Sequence, residues 1–356
     1  MLTTLLTLVA VLVGPGQDAT RLAEEAKIEA VVQKFMRQPG AVGLSVAVGR
    51  GEELVYERAQ GFADLEFTVN ADPETMFRIG SVTKQFTAAA IVWLSERGKL
   101  SIDDPLVKFL PDYPRGGDIT LRHLLTHTGG VPNYTNLGPK WETVVARELA
   151  HEELVALWLD LPLDFEPGTK WNYSNSGYYL LGMVIEKASG QAYDEFLRDA
   201  FFDPLKLTRT RYDSNGEVLL NRAQGYGFAE GKFWNDQLIG MSQPGAAGAL
   251  ISTAGDLVRW QLALASGKVV SKESYAEMTL PYMLADGRET QYGFGLMLAP
   301  FAGKPCVAHG GGIFGFNSFL AHWPESQLSV AVISNSEALR SDALAEELGR
   351  ALLPGK

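Results

Sequence analysis

The chain has 356 residues, 46% hydrophobic and 21% charged, a globular composition that excludes a disordered or fibrous protein, and its length points to two structural units rather than one. Lys and Arg total 31 against 42 Asp and Glu, for a net charge of −11. No basic cluster is present to neutralise phosphates, so nucleic acid is excluded as a partner, anionic membrane surfaces are disfavoured, and a small-molecule or peptide substrate is expected.

Residues 5–13 are almost all apolar, yet too few for a spanning helix, which needs about 20 residues. With small residues Gly14, Gly16 and Ala19 behind them, they are expected to form a secretory leader over 1–19, placing the mature chain in the periplasm or outside the cell. No Lys or Arg precedes the run, which leaves a buried N-terminal helix as the alternative. Ile28, Val32, Phe35 and Met36 share one helical face, ended by Gly40. Residues 42–48 and 54–58 read as two strands of a hairpin. A helix is predicted to start at Ser81, with Phe86, Ala89, Ala90, Trp93 and Leu94 on its apolar face and Gly98 as its stop. Further helix patterns cover 121–125, 154–159 and 178–186, and Thr253 with Asp256 spells a capping box before an apolar run. The last part turns β-rich, at 292–298, 306–309, 316–322 and 328–333, before a helix with Leu344, Leu348, Ala351 and Leu352 on one stripe. The economical fold is α+β: one antiparallel sheet built from both termini (20–105 and 245–356), flanked by helices, with a mostly helical domain (106–244) inserted.

Ser81 and Lys84 form a Ser-x-x-Lys pair at the start of a helix, where spacing i, i+3 puts both side chains on one face. A serine hydroxyl attacks only when a neighbour takes its proton, and a lysine does so only when neutral. Poising its pKa near 7 takes about three units, roughly 4 kcal/mol, which burial or nearby positive charge supplies. The Ser81 N–H at a helix N-terminus favours a developing oxyanion. Tyr173 and Asn175 follow the turn Phe165-Glu-Pro-Gly168 and lie on one side of an extended segment; Tyr134 and Asn136 make a competing match in another loop. A tyrosine relays or accepts a proton where a cation lowers its pKa. His309 and the glycines Gly310, Gly311 and Gly312 stand at the end of a predicted strand, where a substrate approaches the backbone closely and the Gly312 N–H can pair with that of Ser81. Gly310, Gly312 and Gly315 also match a dinucleotide fingerprint, which is rejected because a strand, not a helix, follows.

Taken in order, Ser81-Val-Thr-Lys84, Leu124-Leu-Thr-His-Thr-Gly-Gly-Val-Pro132, Tyr173-Ser-Asn175, the segment 247–253 and His309-Gly-Gly311 resemble the serine β-lactamase and penicillin-binding-protein superfamily, in its class C-like branch of D,D-carboxypeptidases, D-aminopeptidases and esterases. The resemblance implies a β-lactamase/transpeptidase-like fold and a serine hydrolase working without cofactor through an acyl-enzyme on a small ester, D-amino-acid amide or peptide, or β-lactam. It implies Ser81 as nucleophile, Lys84 and Tyr173 as general base and acid, and Asn175, His309, Gly311 and Gly312 as substrate contacts. It also selects Tyr173 over Tyr134. Most β-lactamases carry lysine where this chain has His309, so weak β-lactam hydrolysis is expected. The alternative function is a penicillin- or peptidoglycan-binding sensor that is acylated at Ser81 and not released.

Other residues invite roles that bland readings explain. His127 is expected to be a hydrogen-bonded structural histidine, and His123 and His151 surface or core filler. Cys306, the only cysteine, is read as a buried inert thiol, Asn335 as a helix cap, and Glu166 as a turn residue. The sequons at Asn133 and Asn172 are discounted, and no metal-ligand spacing occurs. The aromatic group Tyr226, Phe228, Phe233, Trp234, Phe314 and Phe316 is either ordinary packing or the wall of an acyl pocket.

Overall fold

The computed structural model describes residues 15–354, so the expected leader at 1–19 lies largely outside the described residues. Helix α1 (Pro15–Met36) leads into the expected hairpin of β1 (Gly43–Arg50) and β2 (Glu53–Asp64), with β2 running well past Arg58. Helices α2 (Thr83–Glu96), α3 (Leu121–Leu125), α4 (Asn175–Ser189), α5 (Gly245–Gly248) and α6 (Ala254–Ala265) follow. Strands β3 (Val307–Ile313), β4 (Phe316–Trp323) and β5 (Leu328–Ser334) and helix α7 (Ser341–Leu352) complete the chain.

The six-stranded antiparallel sheet runs in the order Val69–Asn70, β2, β1, β5, β4, β3. The two ends of the chain meet where β1 pairs with β5, with Val46 opposite Val332 and Val48 opposite Val330. Leu44, Val46, Val48, Val330 and Val332 point to one face and pack against Ile28 and Phe35 of α1 and Leu344 and Leu348 of α7. Ala47, Ala331 and Ile333 point to the other face, in an apolar cluster shared with Phe86 of α2 and Trp260 of α6. Because both faces are covered, β1 and β5 read as continuous apolar runs rather than alternating ones. Each fully buried valine among them contributes roughly 1.5–3 kcal/mol. The second cluster continues through Tyr178 and Phe196, so the helical stretch packs on the same core as the sheet. That stretch also carries a small hairpin, Tyr226–Ala229 with Lys232–Asn235.

Several local expectations change. Residues 292–298 form no strand but a reversal with isolated bridges, Tyr292 to Met297 and Met297 to Ala308. Gly295 has φ +68, and a Cβ there would stand 2.6 Å from the Lys84 carbonyl oxygen. The helix predicted over 154–159 is His151–Val155, followed by turns. The glycines after His309 do not end a strand: β3 continues through them to Ile313. Ser81 lies in a 3-10 turn, Gly80–Val82, and the α-helix begins at Thr83. The Thr253 hydroxyl does cap α6 by accepting the Asp256 N–H, but the Asp256 carboxylate accepts from Arg209 and Thr210 instead of returning to Thr253. Asn335 caps no helix; its Nδ2 donates to the carbonyls of Phe62 and Gln224, tying β2 to the segment before the small hairpin.

Candidate active site

Edge strand β3 lies against the 3-10 turn that carries Ser81. Gly80 adopts φ +48, and a Cβ there would come within 2.9 Å of the Gly312 backbone. A Cβ on Gly311 would stand 2.0 Å from the Ile79 carbonyl oxygen, so only glycine lets the strand approach the turn this closely. Gly312 differs: nothing lies within 4 Å of its missing Cβ, and it faces a cavity that Ser81 also lines. The Ser81 N–H sits in the first turn of a short helix, where backbone donors have no intrahelical acceptor.

One turn on, Lys84 is wholly buried. Its Nζ lies 2.8 Å from Asn175 Oδ1, 2.8 Å from the Ala247 carbonyl oxygen and 3.2 Å from Ser81 Oγ. Burial holds the amine well below the usual lysine pKa. A neutral amine carries two hydrogens and one lone pair. The two nearer acceptors take the hydrogens, and the lone pair is left for the Ser81 O–H. The arrangement therefore offers a base to the serine without a charged group at the bottom of the site.

Tyr173 and Asn175 reach this amine from two kinds of structure, not from one extended segment. Asn175 is the first residue of α4, whose N-cap Ser174 accepts the Gly177 N–H. Tyr173 precedes the cap, with its ring centroid 4.7 Å from Lys84 Nζ. Burial pushes the phenol pKa up, and hydrogen bonding with Ser81 offsets only part of that rise. The expectation of a cation-lowered tyrosine is thus reversed: Tyr173 is a neutral phenol, suited to donating a proton. The competing Tyr134 donates its hydroxyl to the Gln243 carbonyl at 2.7 Å and forms part of the cavity wall.

The loop holding Tyr173 is clamped by His127, which accepts the Ser174 N–H at Nδ1 (3.1 Å) and the Asn172 N–H at its carbonyl (3.0 Å). Its ring centroid lies 4.3 Å from that of Tyr173. His309 is buried as well. Its Nδ1–H donates to the Gly310 carbonyl (2.6 Å), so Nε2 accepts from the Tyr292 hydroxyl (2.8 Å). Burial lowers its pKa to about 3. Expected as a substrate contact, His309 instead has both nitrogens engaged by the protein and carries no charge to offer a carboxylate.

Ser81, Asn175 and Gly312 share a cavity of about 250 Å³ with Tyr134, Trp141 and Phe314. A neighbouring cavity of about 420 Å³ lies beside Tyr173 and His309, walled by Trp171 and Tyr292. A third cavity, about 490 Å³, is lined in part by Gly245 and Ala246 of α5 and does not include Ser81. Residues 28–353 match the family described as Beta-lactamase. The chain belongs to that family. Penicillin-binding protein 4* of Bacillus subtilis is 30% identical over 310 residues, 82% of this chain and 68% of the relative. Esterase EstB of Burkholderia gladioli is 30% identical, over 90% of this chain and 92% of that protein. D-aminopeptidase of Gluconobacter oxydans is 26% identical over 92% of this chain, which spans 62% of that longer relative. Among solved structures, D-amino acid amidase from Ochrobactrum anthropi SV3 superposes with a TM-score of 0.81 at 26% identity, covering 93% of this chain and 97% of the other. These relatives are serine hydrolases of one superfamily, and so is this chain.

The structure also shows what the sequence did not reveal. The Ala247 carbonyl that holds Lys84 has no side-chain signal, and Tyr292, which holds His309, lay in a segment read as a strand. Trp141, from the short helix Pro139–Glu142, and Ile239, from a loop, join the cavity with no motif to mark them. Of the aromatic group, Phe314 lines the cavity, whereas Phe233 and Trp234 are exposed on the small hairpin. The remaining bland readings fit: Glu166 is an exposed turn residue paired with Arg115, and Cys306 is buried, its thiol pKa raised to about 12.

Proposed function

We propose that the chain hydrolyses small carboxylic esters or amides through an acyl-enzyme at Ser81. The observation that carries this reading is the wholly buried Lys84 amine, with two acceptors at 2.8 Å and the serine oxygen at 3.2 Å. Lys84 takes the Ser81 proton as Oγ bonds the carbonyl carbon. The oxyanion forms beside the N–H groups of Ser81 and Gly312, donors worth about 3–4 kcal/mol each in comparable hydrolases. On collapse the bond to the leaving group breaks, and the leaving atom receives a proton from Tyr173, which Lys84 resupplies. Water then repeats the sequence on the acyl carbon and regenerates Ser81.

The names of the relatives support the same range: an esterase, a D-aminopeptidase, a D-amino acid amidase and a penicillin-binding protein. The neutral, internally bonded His309 argues against strong β-lactam turnover, because no fixed positive charge there receives a β-lactam carboxylate. Purified protein and its Ser81→Ala variant are to be compared on short-chain p-nitrophenyl esters, D- and L-alanine p-nitroanilide and a chromogenic cephalosporin. Multiple turnovers of an ester, lost in Ser81→Ala, are expected. A one-to-one adduct on Ser81 with no release would instead make the chain a binding or sensor protein.

A further inference from the structure

Resting on the acyl-Ser81 reading, we infer that the acyl group this enzyme accepts is uncharged and apolar, up to the size of an aromatic side chain, and that an acyl group bearing a free α-ammonium is rejected. The cavity beside Ser81 is built from Tyr134, Trp141, Ile239, Ile313 and Phe314, and among the described residues no Asp, Glu, Lys or Arg lines it. Its volume of about 250 Å³ exceeds the roughly 150 Å³ that suffices for benzene in an apolar protein cavity.

An α-ammonium is one bond from the carbon that carries the scissile carbonyl, so on an acyl group seated in this cavity its partners come from the cavity lining, which lacks the carboxylate that Glu289 gives the neighbouring cavity. The side-chain acceptors there are already in use. Asn175 Oδ1 takes Lys84 Nζ, and Thr135 Oγ1 takes an Asn175 Nδ2 hydrogen. The Tyr134 hydroxyl is turned to the Gln243 carbonyl. Lys84, bonded to Asn175 and Ser81 at the edge of the cavity, offers no negative charge. A protonated amine entering here loses its water and gains no partner.

The test uses two boronic acids that form the tetrahedral adduct on a serine and differ by one group: 2-phenylethylboronic acid and the D-configured 1-amino-2-phenylethylboronic acid. Affinities are measured by calorimetry at pH 6.5, where the amine is protonated. The uncharged compound is expected to bind at least roughly 30-fold tighter, the low end for leaving a charge unpaired in an apolar site. Ile313→Asp, at a partly exposed place on the edge strand, is expected to narrow that gap at least about fivefold by supplying the missing carboxylate. Equal or tighter binding of the amino compound to the native chain overturns the inference, as does a gap unchanged in a folded Ile313→Asp. Binding of neither compound, or binding that persists in Ser81→Ala, defeats the acyl-Ser81 reading itself.

Discussion

Replacing Lys84 by methionine keeps the length of the side chain and removes the amine, and the effect on stability reports the protonation state on which the chemistry depends. Above the ordinary lysine value of 10.5 the amine is neutral in both folded and unfolded chain, and Lys84 makes no pH-dependent contribution. As pH falls below 10.5, the unfolded chain takes up a proton that the folded chain, with its lowered pKa, does not. The native protein therefore loses about 1.4 kcal/mol per pH unit relative to the variant, until pH drops below the folded value. Between pH 10 and pH 8 the difference approaches about 2.5 kcal/mol. Methionine leaves Asn175 Oδ1 and the Ala247 carbonyl without their donor, at a cost of about 1–3 kcal/mol each, but that cost is the same at every pH and shifts the curve without tilting it. Urea unfolding of both proteins at half-unit steps from pH 7 to pH 10 gives the slope, and all other titrating groups cancel in the difference. A flat difference would mean that Lys84 stays charged in the folded chain and cannot be the base.

Tyr173→Phe removes the phenol beside Ser81 and is expected to lower kcat by about 10²–10⁴, more for an anilide than for a p-nitrophenyl ester, whose leaving group needs no proton. Equal losses on both would place Tyr173 outside the proton path. Gly311→Ala forces a Cβ to 2.0 Å from the Ile79 carbonyl oxygen, whereas Gly312→Ala adds one into open space. Thermal unfolding should show a loss of several kcal/mol, about 3 or more, for the first and a near-native midpoint for the second; matching midpoints would contradict the close approach of β3 to the Ser81 turn. Phe314→Ala should raise KM for hexanoate esters and spare acetate, while Trp234→Ala changes neither, since only Phe314 lines the cavity.

The parts of this molecule that were legible in the sequence are those where local chemistry and tertiary structure agree. Leu44, Val46 and Val48 mark β1 because an apolar strand needs two covered faces, and the chain supplies both. Ser81 and Lys84 are legible because a helical turn brings i and i+3 together wherever the helix lies. The α4 N-terminus was harder: Ser174 caps a helix that draws Asn175 out of the extended segment, and motif order in the family, rather than the local residues, distinguishes Tyr173 from Tyr134 before contact with Lys84 is seen. His309 misleads most. Its position beside three glycines suggests a substrate contact, yet its role depends on Tyr292, which reaches it from a reversal 17 residues away. Backbone acceptors such as the Ala247 carbonyl, and loop residues such as Ile239, carry no pattern at all; their function is created by the fold.

Acylation at Ser81 is tested most directly by rapid acid quench of the native chain with p-nitrophenyl hexanoate, followed by intact mass and peptide mapping. One added hexanoyl group on the peptide containing Ser81 is expected within the first turnover, decaying as substrate is exhausted, and no adduct is expected in Ser81→Ala. Full turnover with no acyl mass on that peptide, or an acyl group carried by another residue, would contradict the mechanism.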